Sequence, residues 1–143
     1  MPLTWAVAAL LLLAVAPAAA QAQISLRAQV IYASNQAGGV DGRLSGLSAE
    51  LQTFRYSSYK LLQELRGSAA LNQTWRSGLP GGRRLEVTPT AMQGGQATLA
   101  IRVLAGGQAV LNTSVRLRSG GPPVLVGGFR HDEGFLIIAL SAS

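Results

Sequence analysis

Apolar and polar residues alternate one for one along residues 24–33: Ile24, Leu26, Ala28, Val30 and Tyr32 share one side, and Ser25, Arg27 and Gln29 the other. A period of two with β-branched residues predicts a half-buried strand. A loop, SNQAGG, follows. Leu44, Leu47, Leu51 and Phe54 then recur at helical spacing behind Asp41, a residue suited to capping the first turn, so a short amphipathic helix is expected over 42–54. Gly46 inside it costs up to about 1 kcal/mol relative to Ala, so tertiary packing has to hold this helix. Residues 56–65 read as a strand, because Tyr56, Ser57, Ser58 and Tyr59 are poor helix formers, and residues 69–77 as a weaker strand around Trp75.

Beyond the turn LPGG, Leu85 and Val87 alternate with Arg84, Glu86 and Thr88. Pro89 is expected to push that strand toward an edge or an early end, since it cannot donate to a ladder. Gly94-Gly95, Gly106-Gly107 and Gly120-Gly121 punctuate the next stretch as hairpin turns. Between them Leu99, Ile101 and Val103 form one face, and Leu111, Thr113, Val115 and Leu117 another. Residues 135–140 are continuously apolar, which suits a strand buried on both faces, and the run is too short to cross a membrane. The layout is β-α-β followed by an antiparallel meander. It predicts an α+β domain, mainly antiparallel sheet or sandwich, with one short amphipathic helix near its N-terminus.

The opening residues, MPLTWAVAALLLLAVAPAAAQAQ, are almost unbroken apolar from Trp5 to Val15 and close on small side chains. Ala18 and Ala20 suit cleavage before Gln21, and Ala20 and Ala22 suit cleavage before Gln23. Residues 1–22 are therefore expected to be a cleaved signal peptide, and 23–143 a single β-rich domain, periplasmic or secreted. No Lys or Arg precedes the apolar run, a departure from the usual pattern. The absence of cysteine leaves packing and hydrogen bonds to stabilise an exported fold and removes thiolate chemistry.

Eleven Arg and Lys60 face six acids, a net charge of +6 that favours anionic surroundings. The arginines look scattered along the chain, and only Arg83 and Arg84 are adjacent, a candidate anion-contacting pair. Nucleic-acid binders concentrate charge and interleave aromatics, so nucleic acid is not expected as a partner. Preference for Arg, Ala and Gly suggests a GC-rich bacterial genome, in which the tripeptides Asn72-Gln73-Thr74 and Asn112-Thr113-Ser114 are chance sequons.

Residues 110–128, VLNTSVRLRSGGPPVLVGG, carry a Thr-x-Val strand, a glycine turn, a Val-rich strand and a Gly-Gly end. Thr113, Val115, Gly120, Val124, Val126, Gly127 and Gly128 resemble a hairpin of the secretin family's β-domain. LPGGRRLEVTPTAMQGGQATLAIRV, with Pro89, is similar to the strand pair before it. Phe129 stands where the family pattern has Leu or Ile, and the chain is too short for a secretin's periplasmic modules and pore segment. The resemblance implies an exported β-hairpin module that adds to envelope assemblies, and it carries over no functional residue.

Chemistry is sparse. His131 is the single histidine, in a cluster with Asp132 and Glu133 that reads either as a cation or acid–base site or as a polar turn before Gly134. Asp41, Glu50, Glu64, Glu86, Asp132 and Glu133 show no spacing that pairs two carboxylates. No G-x-S-x-G elbow occurs, and the loop at Gly38-Gly39 lacks a phosphate-loop lysine. Trp75, Tyr32, Tyr56 and Tyr59 are expected to fill the core rather than form an exposed platform. The pattern calls for no catalytic residue, metal or cofactor. It is that of a non-enzymatic envelope module engaging another envelope protein or an anionic envelope polymer. The alternative is a small hydrolase or cation-dependent protein centred on His131, Asp132 and Glu133.

Overall fold

The computed structural model describes residues 23–143, and the expected signal segment lies outside them. Nine strands form two antiparallel sheets: β1 (Gln23–Ser34), β2 (Gly39–Val40), β3 (Ser58–Ala70), β8 (Val124–His131) and β9 (Gly134–Ala142) in one, ordered β2-β3-β1-β9-β8; β4 (Trp75–Leu79), β5 (Arg83–Gln93), β6 (Gln96–Ala105) and β7 (Gln108–Arg118) in the other, in chain order. The two-residue β2 is the exception in direction, running parallel to β3. The fold is the mainly antiparallel α+β sandwich that the alternation implies.

Two cores follow from the two faces of the five-stranded sheet. Ile24, Leu26, Ala28 and Val30 of β1, with Leu136, Ile138 and Leu140 of β9, pack against Leu85, Val87, Leu99, Ile101 and Val103 of the four-stranded sheet. On the opposite face Ile31, Ala33, Tyr59, Ile137 and Ala139 pack under Leu44, Leu47 and Leu51. This explains the unbroken apolar run of β9, whose two sets of side chains serve different cores. The covering segment is helical over 42–54, mostly as 3-10 turns: Gly42–Leu47 and Gln52–Phe54 flank a single α-helical turn, Ser48–Leu51. Two glycines in its first six residues and the need to hold three leucines on one sheet favour the tighter winding. Asp41 caps it as expected, its carboxylate accepting from the Arg43 backbone N–H at 3.0 Å.

Several boundaries differ from the sequence pattern. Residues 69–70 end β3 rather than begin a new strand, because pairing with β1 continues past a bulge at Val30/Ile31 to Gln23 opposite Ala70. Pro89 does not stop β5, which reaches Gln93 across a bulge between Pro89 and Ala91. Pairing with β4 ends at Val87, so the proline falls where that side of the strand is no longer in a ladder. Gly94-Gly95 and Gly106-Gly107 make two-residue hairpin loops with positive φ throughout. Gly120-Gly121 does not make a hairpin. It lies where the chain leaves one sheet for the other, Ser119 N donating to Gly95 O and Gly120 N to Ala142 O. The strand pair expected over 110–128 is accordingly split, with β7 and β8 in different sheets. Residues 75–118 form the meander, four strands long.

Candidate functional site

The fold brings His131 and Arg83 together from different sheets. Arg83 opens β5 and His131 ends β8, at one end of the sandwich. Arg83 Nη1 lies 2.8 Å from His131 Nδ1, and Nη2 donates to Arg130 O at 3.2 Å. The guanidinium also sits 4.9 Å from the centroid of the Phe129 ring, and Tyr32 meets the imidazole edge-on at 6.1 Å. A guanidinium can only donate, so Nδ1 is the acceptor and a neutral His131 carries its proton on Nε2. Nε2 faces the Asp132 carboxylate at 3.4 Å. The imidazole is 15 % exposed while Asp132 is 76 % exposed. Asp132 and Glu133 form the two-residue turn between β8 and β9, with Asp132 at φ 51°. The three polar residues thus diverge: the histidine is drawn in, and the carboxylates lie at a hairpin tip. Among the described residues no three His, Asp or Glu side chains are grouped to hold a metal ion.

Arg83 and Arg84 face opposite sides of β5. Successive strand residues point to opposite sides, so Arg83 turns toward His131 and Arg84 toward solvent. Arg84 instead belongs to a set that the linear sequence hides. Register places Arg76 opposite Glu86, Glu86 opposite Arg102, and Arg102 opposite Asn112, one row across all four strands. Arg116 opposite Thr98 and Arg118 opposite Gln96 continue the same outward face on β6 and β7. Five arginines and one glutamate therefore share the outer face of the four-stranded sheet. Alternation within each strand was the available signal, but the register between strands was not.

Glu86 is the organising acid of that face. Arg102 Nη2 donates to Oε1 at 2.6 Å and Arg76 Nε to Oε2 at 3.1 Å. The Arg102 bond, followed by that from Arg76, holds the Glu86 carboxyl below its usual range against the opposing effect of burial. Two other acids are likewise tied to arginine. Glu64 is bonded by Arg27 and Arg66, and Asp41 by Arg43, each held below the usual carboxylate range chiefly by its arginine hydrogen bonds.

A surface groove of about 570 Å³ lies at the other end of the sandwich from His131, where Ser25, Arg27, Arg66, Gly67, Gly120 and Ser141 meet. All seven aromatic rings among the described residues, Trp75 and the three tyrosines included, belong to the two cores or pack against them. No helix among the described residues is long and apolar enough to cross a membrane. The architecture is a two-sheet β-sandwich closed over one face by a short helical cap. No protein-family model, curated protein or solved structure matches this chain.

Proposed function

We propose that the chain is an exported, non-enzymatic binding or assembly module of a bacterial envelope, periplasmic or secreted, and that it engages a partner protein by strand addition at β7. One observation carries this reading: β7 pairs with β6 along one side only, and Gln108–Val115 of this edge contains no charged residue. Edge strands are ordinarily guarded by charges, which discourage pairing with another chain. The other strands with open sides are guarded by charge, by shortness or by a bulge: β3 carries Lys60, Glu64 and Arg66, β4 carries Arg76, β2 is two residues long, and β8, charged only at Arg130, is broken by a bulge between Leu125 and Gly127. On β7 only the last three residues carry charge, through Arg116 and Arg118. An extended segment of a partner gains backbone hydrogen bonds along Leu111–Val115, where the strand is regular, and specificity from the alternating side chains. Export rests on the opening apolar segment and its small-residue end.

The alternative, hydrolase or cation chemistry at His131, is weakened by the Arg83 hydrogen bond, which occupies the ring lone pair a general base would use.

The test is photo-cross-linking of the full chain exported in a diderm host. A cross-linker at Asn112 or Ser114 is expected to trap one partner of discrete mass, whereas the same group at Thr88 or Ala100, on inner strands of the same sheet, traps none. Equal labelling from all four positions would overturn the reading. The double variant His131→Ala/Asp132→Ala is expected to leave capture intact.

A further inference from the structure

The outer face of the four-stranded sheet has a surplus of four positive charges, five arginines less Glu86. Among the described residues Arg84, Arg116 and Arg118 have no carboxylate partner, while Arg76 and Arg102 are fixed by Glu86. Two shallow depressions lie on this face, and each contains one of the unpaired guanidiniums. Arg116 lines one of about 220 Å³ with Ala91, Gln93, Gln96 and Thr98; Arg84 lines the other, of about 290 Å³, with Gly82, Leu104, Gly106 and Gly107. Between the arginines most of the face is made of short side chains, Gly78, Thr88, Ala100 and Ser114, with the half-buried Leu104 opposite Arg84.

The composition of the face selects among polyanions. Single-stranded nucleic acid needs exposed rings for its bases, and a bilayer surface is gripped by Trp, Phe or Leu beside the basic residues. Every aromatic ring among the described residues is committed to a core instead, and the leucine of this face, Leu104, is half-buried. What remains is largely a hydroxyl- and amide-bearing platform whose planar cations pair with carboxylate or phosphate oxygens through two parallel hydrogen bonds, while the hydroxyls and amides suit a sugar chain.

We infer that this face is a docking surface for an extended acidic polysaccharide. Arg84, Arg116 and Arg118 bind its carboxylates, and Glu86 acts as a positioning residue that holds Arg76 and Arg102 in a fixed row. The site shares β7 with the capture edge but uses the outward side chains of Arg116 and Arg118 and not the open backbone of Gln108–Val115, so it does not rest on strand capture there.

The test measures binding of the exported, processed protein to polygalacturonate fragments by calorimetry over a range of salt. Binding is expected to weaken with salt and to fall at least about tenfold in Arg116→Glu/Arg118→Glu. The control Arg55→Glu/Lys60→Glu makes the same change in net charge away from this face and is expected to lose no more than about threefold. Equal losses in the two variants would reduce the interaction to net charge and overturn the inference, as would tighter binding to phosphatidylglycerol vesicles or to single-stranded DNA of matched charge. Glu86→Gln adds one positive charge, so attraction by charge alone predicts tighter binding, whereas the positioning role predicts weaker binding. Thermal melting of each variant, with Arg116→Gln/Arg118→Gln as a milder pair, separates lost contacts from lost fold.

Discussion

Trp75 of β4 lies across the backbone of Gly67 of β3, so close that a β-carbon on Gly67 would fall inside the van der Waals surface of the indole. One lateral opening between the sheets is closed in this way. The opposite opening is closed by the same device, Leu111 of β7 resting on Gly127 of β8. In both cases the four-stranded sheet supplies a large side chain and the five-stranded sheet a bare backbone to receive it.

Gly67→Ala therefore has two opposed effects. Replacing a strand glycine ordinarily stabilises by about 0.5–1 kcal/mol, whereas overpacking against a rigid ring costs about 1–3 kcal/mol. The second wins, and a net loss of about 1–2 kcal/mol is expected in urea unfolding. Trp75 is the only tryptophan in the described residues, so its fluorescence should shift in the folded variant. An unchanged midpoint together with an unchanged emission maximum would mean that the ring does not rest on Gly67.

Acid should destabilise the domain through Glu86 and Glu64. Both carboxyls are held below the usual glutamate value of 4.5 in the folded state by their arginines. Their contribution is fully present above that value and is lost as pH falls through the lower folded values. The melting temperature should therefore decline below about pH 4.5, and Glu86→Gln should flatten part of that decline. The exposed arginines temper the effect by solvent screening. A Glu86→Gln profile parallel to that of the parent at every pH would contradict the assignment.

Asp41 connects the helical cap to the sheet. Its carboxylate accepts from the backbone N–H of Arg43 at 3.0 Å and of Leu61 at 3.3 Å, and pairs with the Arg43 guanidinium at 2.7 Å. Asp41→Ala removes all three and should lower the melting temperature by a few degrees, about what a lost cap produces. Asp41→Asn keeps an acceptor for the cap and should recover part of the loss. Hydrogen exchange should quicken at Arg43 and Leu61 before it does in β9.

The tautomer of His131 is directly observable. ¹⁵N NMR of the neutral ring should show the proton on Nε2, with Nδ1 accepting from Arg83. Arg83→Ala should weaken that preference, which Asp132 beside Nε2 still favours, and a native Nδ1–H would refute the geometry. Because the interaction is one partly exposed hydrogen bond, His131→Ala should cost only about 0.5–1.5 kcal/mol.

The alternation of β1, β5, β6 and β7, the cap at Asp41 and the doubly buried β9 were all legible from residue type. Register was not. The Gly94-Gly95 loop alone sets Gln93 opposite Gln96, and carrying that pairing down the strands would put Glu86 opposite Val103, on the wrong face. The bulge at Pro89–Ala91 shifts the register by one and brings Glu86 to Arg102. The bulge between Val103 and Leu104 likewise brings Asn112, instead of Leu111, opposite Arg102. The basic face is thus produced by two irregularities that leave almost no mark on composition. The meeting of Arg83 with His131, 48 residues apart, depends on how the sheets stack and is equally silent in the linear pattern.

The two strands at the heart of the five-stranded sheet, β1 and β9, are the first and last described, with Gln29 opposite Ala139. Neither core can close until β9 arrives, because its two faces supply both. Folding is therefore governed by a long loop closure, and should be slow for a domain of this size. A polypeptide drawn through a pore amino end first would stay unfolded until β9 had followed.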